Sequence, residues 1–466
     1  MIVTELLNQF AAIVGESHAI RNPAEMAGYM REQRDLWVGK SSLVLRPGST
    51  EEISAILKLA TATKTPIVPQ SGNTGLVGGG VTFETGSEIL LSLDRMTKIL
   101  DVDAADNTMT VQAGAILKSV QDAADNAGRL FPLSLASEGS CRIGGNLSTN
   151  AGGLNVLAYG NTRDLCLGLE VVLPDGRIWN GLRKLRKDNT GYDLKNMFIG
   201  AEGTLGIITA AVLKLYPKPQ SRETAFIALP SPQAAVDLLS LMREMSGNRV
   251  VAFELMPRIG MDFTVKHMGI ADPLATRSPW YALSELVDPP EGCFEKILEV
   301  AMERGSVTDA TLAQSESQRQ ALWNIREMMP ESQKHEGGSI KHDVSVPVSK
   351  IPAFIAEATQ AVNNFMPDAR VMSFGHMGDG NMHFNVTQPV GMDKKKYLDC
   401  WHGMNAAVFA VVQKFGGSIS AEHGIGRLKI GHMPEIKSSV ELGMMRDLKR
   451  LYDPLNIMNP GKVIPL

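Results

Sequence analysis

The sequence predicts an α+β protein of more than one domain, from three observations. The chain has 466 residues, 44% of them hydrophobic and 21% charged, an ordinary globular composition on a chain too long for one core. Short β-type runs alternate with helical apolar stripes, and the rhythm changes after Pro217-Lys-Pro219. Two long glycine-rich stretches interrupt the pattern near residues 70–80 and 138–153.

An amphipathic helix is expected from Thr4 to Ile13, in an N-terminal segment of residues 1–37. A first domain is expected over 38–217. Leu43-Val-Leu reads as a strand, and Ser49 with Glu52 has capping-box spacing ahead of an Ile53, Ile56, Leu57 stripe. Ile89-Leu-Leu-Ser-Leu, Met109-Thr-Val-Gln-Ala and Gly206-Ile-Ile-Thr-Ala-Ala-Val-Leu are strands, and Pro174-Asp-Gly176 turns between two more. A second domain is expected over 218–416. It opens in the order β-α-β-β-α, a ferredoxin-like layout, with a helix from Ser315 to Met328 after it. The last segment, 417–466, shows a glycine-bounded motif and little regular pattern.

The formal net charge is −4 and no basic run stands out, so nucleic acid is not an expected partner. The N-terminus does not read as a secretory signal, and no stretch approaches the ~18 apolar residues of a membrane span. The four cysteines form no CxxC pair, which points to a reducing compartment. The cytoplasm is the expected location, with peripheral membrane contact left open.

A dinucleotide pyrophosphate needs many converging backbone N–H groups, which glycines permit. Ser71-Gly-Asn-Thr-Gly75 with Gly78-Gly-Gly80, and Glu138-Gly-Ser-Cys-Arg-Ile-Gly-Gly-Asn-Leu-Ser-Thr-Asn-Ala-Gly-Gly153, suit that purpose. The chain lacks a strand-borne GxGxxG and a GxxxxGK[ST], which disfavours a Rossmann or Walker site. With Asn189-Thr-Gly-Tyr-Asp-Leu and Gly200-Ala-Glu-Gly-Thr-Leu-Gly-Ile-Ile, residues 38–217 resemble the PCMH-type FAD-binding domain of the vanillyl-alcohol oxidase superfamily. The whole chain resembles its D-lactate and D-2-hydroxyglutarate dehydrogenase branch. The resemblance implies a two-subdomain FAD domain, a ferredoxin-like substrate (cap) domain and a C-terminal segment returning to the flavin. It implies that Pro69, Ser71, Gly72, Asn73, Thr74 and Gly75 wrap the FAD pyrophosphate. Gly139, Ser140, Gly144, Gly145, Thr149, Asn150, Gly152 and Gly153 would do so from the second stretch. Glu202, Gly206 and Ile207 would lie near the flavin and adenine ends. No histidine lies between His18 and His267, so covalent attachment through a histidine of the first loop is closed and FAD is expected to be dissociable.

Three of the nine histidines sit in two glycine-bounded motifs, Phe374-Gly-His376-Met-Gly-Asp-Gly-Asn-Met-His383 and Ser420-Ala-Glu422-His423-Gly-Ile-Gly426. His376 and His383 flank a tight Gly378-Asp-Gly380 turn, so both imidazoles can address one point. Glu422 can complete a two-His, one-carboxylate set with open positions; Asp379 is an alternative, more naturally a turn former. The resemblance assigns the metal to His376, His383 and Glu422, with zinc the first expectation and manganese or iron the next. It makes His423 the general base, in contact with the substrate, and Arg326, Lys341 and Asn385 substrate-binding residues. Relatives acting on 2-hydroxyglutarate carry Thr four residues after the Arg, where this chain has Pro330. Pro330 has neither a hydroxyl nor an N–H to offer a distal carboxylate, so D-malate or D-lactate joins D-2-hydroxyglutarate as a candidate substrate.

The implied activity is oxidation of a small D-2-hydroxy acid to the 2-oxo acid, with electrons passing to a quinone or an electron-transfer flavoprotein, in a possible homodimer. Two alternatives stand beside it: a non-redox metal-dependent hydrolase, and a non-catalytic flavin subunit of an oxidase complex. The two phosphate cradles oppose the first, and the Glu422-His423 pair opposes the second.

Overall fold

The computed structural model describes residues 2–466. The chain divides into two compact units. One holds the residues up to Gly153, Gly160–Lys218 and Glu422–Leu466; the other holds Leu154–Tyr159 and Pro219–Ala421.

The first unit opens on the helix Thr4–Val14, which buries Phe10, Ala11 and Val14. Ser49 caps the helix Thr50–Thr63 by accepting from Glu52 N at 3.2 Å. The capping box is only half made, because the Glu52 carboxylate accepts from Gly48 N at 2.7 Å. Ile53, Ile56 and Leu57 are fully buried beneath it. A four-stranded sheet runs in the order Ala19–Ile20, Val44–Leu45, Ile89–Ser92, Ile67–Gln70, the last three parallel. Ile89–Ser92 is buried throughout, as its unbroken apolar run requires of a strand covered on both faces. A five-stranded antiparallel sheet follows in the order Ile99–Asp103, Thr108–Gln112, Ile207–Lys214, Cys166–Val172, Ile178–Gly181. The expected turn closes through Gly176 N to Leu173 O at 2.8 Å.

Two features depart from the sequence expectation. Within the second glycine-rich stretch, Ile143–Thr149 is helical. In the C-terminal segment, Ser439–Tyr452 is a helix with a full Ser438/Glu441 capping box. That helix is fixed by the buried ion pair Lys449–Asp453 at 2.6 Å. Lys449 Nζ also donates to Thr204 O and Met458 O, each at 2.8 Å.

The second unit is built on a seven-stranded sheet in the order Asp309–Leu312, Arg222–Leu229, Trp280–Val287, Val250–Pro257, Arg370–His376, Asn381–Thr387, Ser339–Ser345. Its first four strands, with the helices Pro232–Met245 and Cys293–Glu303, make the ferredoxin-like arrangement; the helix Arg258–Met268 is inserted between two of them. The helix Glu316–Lys334 runs on through Pro330, past the expected end at Met328.

Strand alternation gives this sheet two faces. Ile340, His342, Val344, Met382, Phe384 and Val386 are buried on one. There Phe354 of the helix Ile351–Phe365 and Phe409 of the helix Trp401–Lys414 pack on Phe384 and His342. The opposite face carries Lys341, His376, His383 and Asn385.

Candidate active site

In the first unit the glycine-rich stretches press on one another. A Cβ on Gly72 would lie 2.7 Å from Ser140 O. One on Gly144 would lie 2.8 Å from Ala113 Cβ. Pro69 packs against Gly203, and Ser71 against Gly145. Pro69–Gly75, residues 139–153 and the Glu202 turn are therefore one surface. Nothing lies within 4 Å of where side chains at Gly75 or Gly139 would stand, so this surface keeps open backbone, which is what a pyrophosphate cradle needs.

Several polar side chains of the cradle hold the chain itself. Asn73, with φ 52°, donates to Gly28 O and Arg31 O at 3.2 and 2.9 Å. Thr149 Oγ1 bonds Gly145 O at 3.1 Å, Asn150 Oδ1 accepts from Arg163 N at 2.9 Å, and Ser140 Oγ bonds Ser137 O at 3.3 Å. Gly206 packs on Val171 and Val172, and Ile207 opens a buried strand. Residues 422–426 also lie on this surface. Gly153 N donates to Glu422 Oε1 at 2.8 Å. Ile425 N and Gly426 N donate to the two Glu202 carboxylate oxygens at 2.7 and 2.9 Å. Burial pushes Glu202 up to about 7 against those donors and the charges of Lys429 and Lys462. His423 stands between these two anchors.

In the second unit, cross-strand register aligns Phe374 with His383, Asp343 with His383, and Lys341 with Asn385. Glu254 lies opposite His376. One sheet face thus gathers Lys341, Asp343, His383, Asn385, His376 and Glu254. The His376 and His383 rings stand 5.3 Å apart at 79°, with a ring nitrogen of each within 4.8 Å of the other. Their connecting turn is pinned by Arg243, which donates to Gly378 O at 2.9 Å. Burial pushes Asp379 in that turn up to about 6, against the pull of His376. Its carboxylate accepts from Asn381 N at 3.0 Å. Asn385 Nδ2 donates to Gln333 Oε1 at 2.9 Å, and Gln333 Nε2 to Thr387 Oγ1 at 2.8 Å.

Glu254 is the residue the sequence reading passes over. Its Oε1 lies 2.5 Å from His376 Nδ1 and its Oε2 accepts from Arg326 Nε at 2.7 Å. Arg326 is buried, with its guanidinium over the Phe374 ring at 4.7 Å. Burial raises the Glu254 carboxyl, but the charges of His376 and Arg326 outweigh it and hold it at about 2. When His376 is neutral, its Nδ1–H donates to the Glu254 carboxylate and its Nε2 lone pair is left for a metal. The signal was in Val250-Val-Ala-Phe-Glu-Leu: a lone acid in a strand buried at every position demands a buried cation.

The donors suit both expected groups. Two imidazoles with a carboxylate behind one of them match a borderline divalent cation, and the open glycine surface matches a dinucleotide. No helix of the described residues is long and apolar enough to cross a membrane.

Comparison with known proteins bears on the dinucleotide. Residues 41–181 match the FAD binding domain family, and residues 218–463 match the family of FAD linked oxidases, C-terminal domain. The chain is 37% identical over 444 residues to a D-2-hydroxyglutarate dehydrogenase of Xanthomonas citri pv. viticola, covering 95% of this chain and 93% of that protein. It is 39% identical over 432 residues to the mitochondrial D-2-hydroxyglutarate dehydrogenase of Danio rerio, covering 92% of this chain and 79% of the relative. An alkyldihydroxyacetonephosphate synthase shares the fold at a TM-score of 0.74 and 19% identity, over 99% of this chain and 85% of the other. A p-cresol methylhydroxylase does so at 0.74 and 16%, over 98% and 96%. The α+β, PCMH-type fold and the flavin chemistry expected from the motifs stand together: the chain belongs to the FAD-linked oxidase family, in its D-2-hydroxyglutarate dehydrogenase branch.

Proposed function

We propose that the protein oxidises a D-2-hydroxy acid (D-2-hydroxyglutarate, D-malate or D-lactate) to the 2-oxo acid, with FAD and a divalent metal. The reading rests on one observation above all: Glu254 ties the metal-competent His376 to Arg326 on a sheet face that also bears His383, Asn385 and Lys341.

His376 and His383 hold the cation, and Glu422 completes the set. Chain connectivity supports Glu422. It follows Ala421, whose N–H bonds Asp343 O at 3.3 Å, and Asp343 is the cross-strand partner of His383. When bound, FAD would supply the hydride acceptor and the cation a Lewis acid for the hydroxyl. Arg326 and Lys341 pair with the substrate's carboxylates, Arg326 through N–H groups beyond the Nε held by Glu254, while Asn385 hydrogen-bonds an oxygen. His423 takes the hydroxyl proton. Its position is supported by the two anchors of its loop, Gly153 to Glu422 and Glu202 to Ile425 and Gly426. The four unpaired cysteines suit a reducing compartment, and the electrons leave to a quinone or an electron-transfer flavoprotein.

The test is turnover on a panel of D- and L-2-hydroxy acids with an artificial electron acceptor, reading kcat/KM for each. The expected result is turnover of D-acids only, with a short or dicarboxylate side chain preferred. Preference for L-acids, or no turnover by flavin-loaded enzyme on any member, contradicts the proposal.

A further inference from the structure

The carboxylate of Glu202, a residue the resemblance places near the flavin and adenine ends, is engaged by the chain itself. Both oxygens accept from successive backbone N–H groups, Ile425 at 2.7 Å and Gly426 at 2.9 Å. Successive N–H groups converging on a carboxylate form an anion nest, a geometry with little freedom. The fit extends to the neighbours. Gly424 has φ +81°, and a Cβ there would lie 2.6 Å from Glu202 Oε1. A Cβ on Gly79 would lie 3.0 Å from Oε2. Glu202 itself is buried and left-handed at φ 49°, a strained conformation for a non-glycine residue. It is held there by its own N–H to Ser148 O at 2.8 Å and by Asn459 Nδ2 to its carbonyl at 2.8 Å. The next anchor along the chain is Arg427, whose guanidinium lies between the Trp37 and Phe83 rings at 4.8 and 4.4 Å.

We infer that Glu202 is a positioning residue for the proton-transfer step: its carboxylate clamps the Gly424–Gly426 turn to the flavin cradle and so fixes His423, the residue just before that turn. The inference rests on the assignment of His423 as base. A loop left to sample several positions holds its imidazole at the reacting geometry for a fraction of the time, and displacements near 1 Å cost about 10²-fold in rate.

The test compares Glu202→Gln, which keeps one acceptor oxygen, with Glu202→Leu, which keeps none, and with His423→Ala. Each is prepared as flavin-loaded, metal-replete enzyme. Three readouts are taken: amide hydrogen exchange of the peptide spanning residues 422–428, the anaerobic rate of flavin reduction by substrate per bound flavin, and KM in steady-state turnover with an artificial electron acceptor. The expected result is exchange at least tenfold faster in Glu202→Leu, intermediate in Glu202→Gln, with flavin reduction slowed in the same order and KM changed less than threefold. Exchange and reduction within twofold of wild type in Glu202→Gln, or in Glu202→Leu where it retains flavin, overturn the inference while His423→Ala remains slow. Wild-type reduction by His423→Ala overturns it together with the base assignment.

Discussion

Glu254 Oε1 lies 2.5 Å from Nδ1 of His376, a residue 122 positions later in the chain, and its other oxygen holds Arg326 at 2.7 Å. One carboxylate thereby holds both the His376 imidazole, proposed as a metal ligand, and the Arg326 guanidinium, proposed to bind the substrate carboxylate. A charge pair buried this deeply is a poor source of net stability, but breaking it leaves an uncompensated ion. Its place in an otherwise apolar strand is explained by what it aligns.

Glu254→Gln is therefore expected to lower metal affinity by about 10–100-fold, the usual effect of losing an outer-sphere carboxylate. Metal titration of the apoprotein checks it. The same variant has a pH signature. Glu254 sits at about 2 in the fold against an ordinary 4.5, so its contribution to stability is fully present above 4.5 and is lost as pH falls toward 2. Denaturation midpoints should lose that part of the acid dependence in Glu254→Gln. An unchanged acid slope contradicts the assigned ionisation.

His423→Ala is expected to retain FAD and to lower turnover by about 10²–10⁴-fold, the range of a lost general base. Flavin content by absorbance and kcat with a D-2-hydroxy acid decide it. Full turnover in this variant removes the base.

Gly72→Ala tests the cradle. The new methyl would stand 2.7 Å from Ser140 O, so the two glycine-rich stretches must part. A stability loss of about 1–3 kcal/mol and weakened FAD retention are expected, read by thermal unfolding and by flavin release on gel filtration. Normal retention would show that the two stretches need not touch to bind the cofactor.

Pro330 lies inside the helix that carries Arg326. It cannot donate to the Arg326 carbonyl one turn earlier, and a helix-interior Pro is about 3 kcal/mol less favourable than Ala. Pro330→Ala is expected to raise the unfolding temperature. Pro330→Thr is expected to raise kcat/KM for D-2-hydroxyglutarate relative to D-malate and D-lactate. An unchanged ratio separates this position from the distal end of the substrate.

Locally encoded features were the legible ones. The Ile53, Ile56, Leu57 stripe, the buried run Ile89–Ser92 and the Pro174-Asp-Gly176 turn are written in periodicity and turn chemistry over a few residues. His376 and His383 were legible for the same reason, as histidines flanking one glycine turn. Glu254 is not legible locally, because strand pairing brings it to His376, 122 positions away, and helix packing brings it to Arg326, 72 positions away. The helix Ser439–Tyr452 was missed although Ser438 and Glu441 announce it, since its exposed Val440, Met444 and Leu451 blur the apolar stripe. The role of the Glu202 carboxylate is not legible locally, because its donors lie more than two hundred residues away.

The most direct measurement of the central claim is anaerobic mixing of metal-free, FAD-loaded enzyme with a D-2-hydroxy acid, following the visible absorbance of the flavin. With metal removal verified by elemental analysis, the flavin is expected to stay oxidised and to bleach once zinc or manganese is restored. Bleaching at the metal-replete rate in the stripped enzyme would contradict the role given to His376, His383 and Glu422.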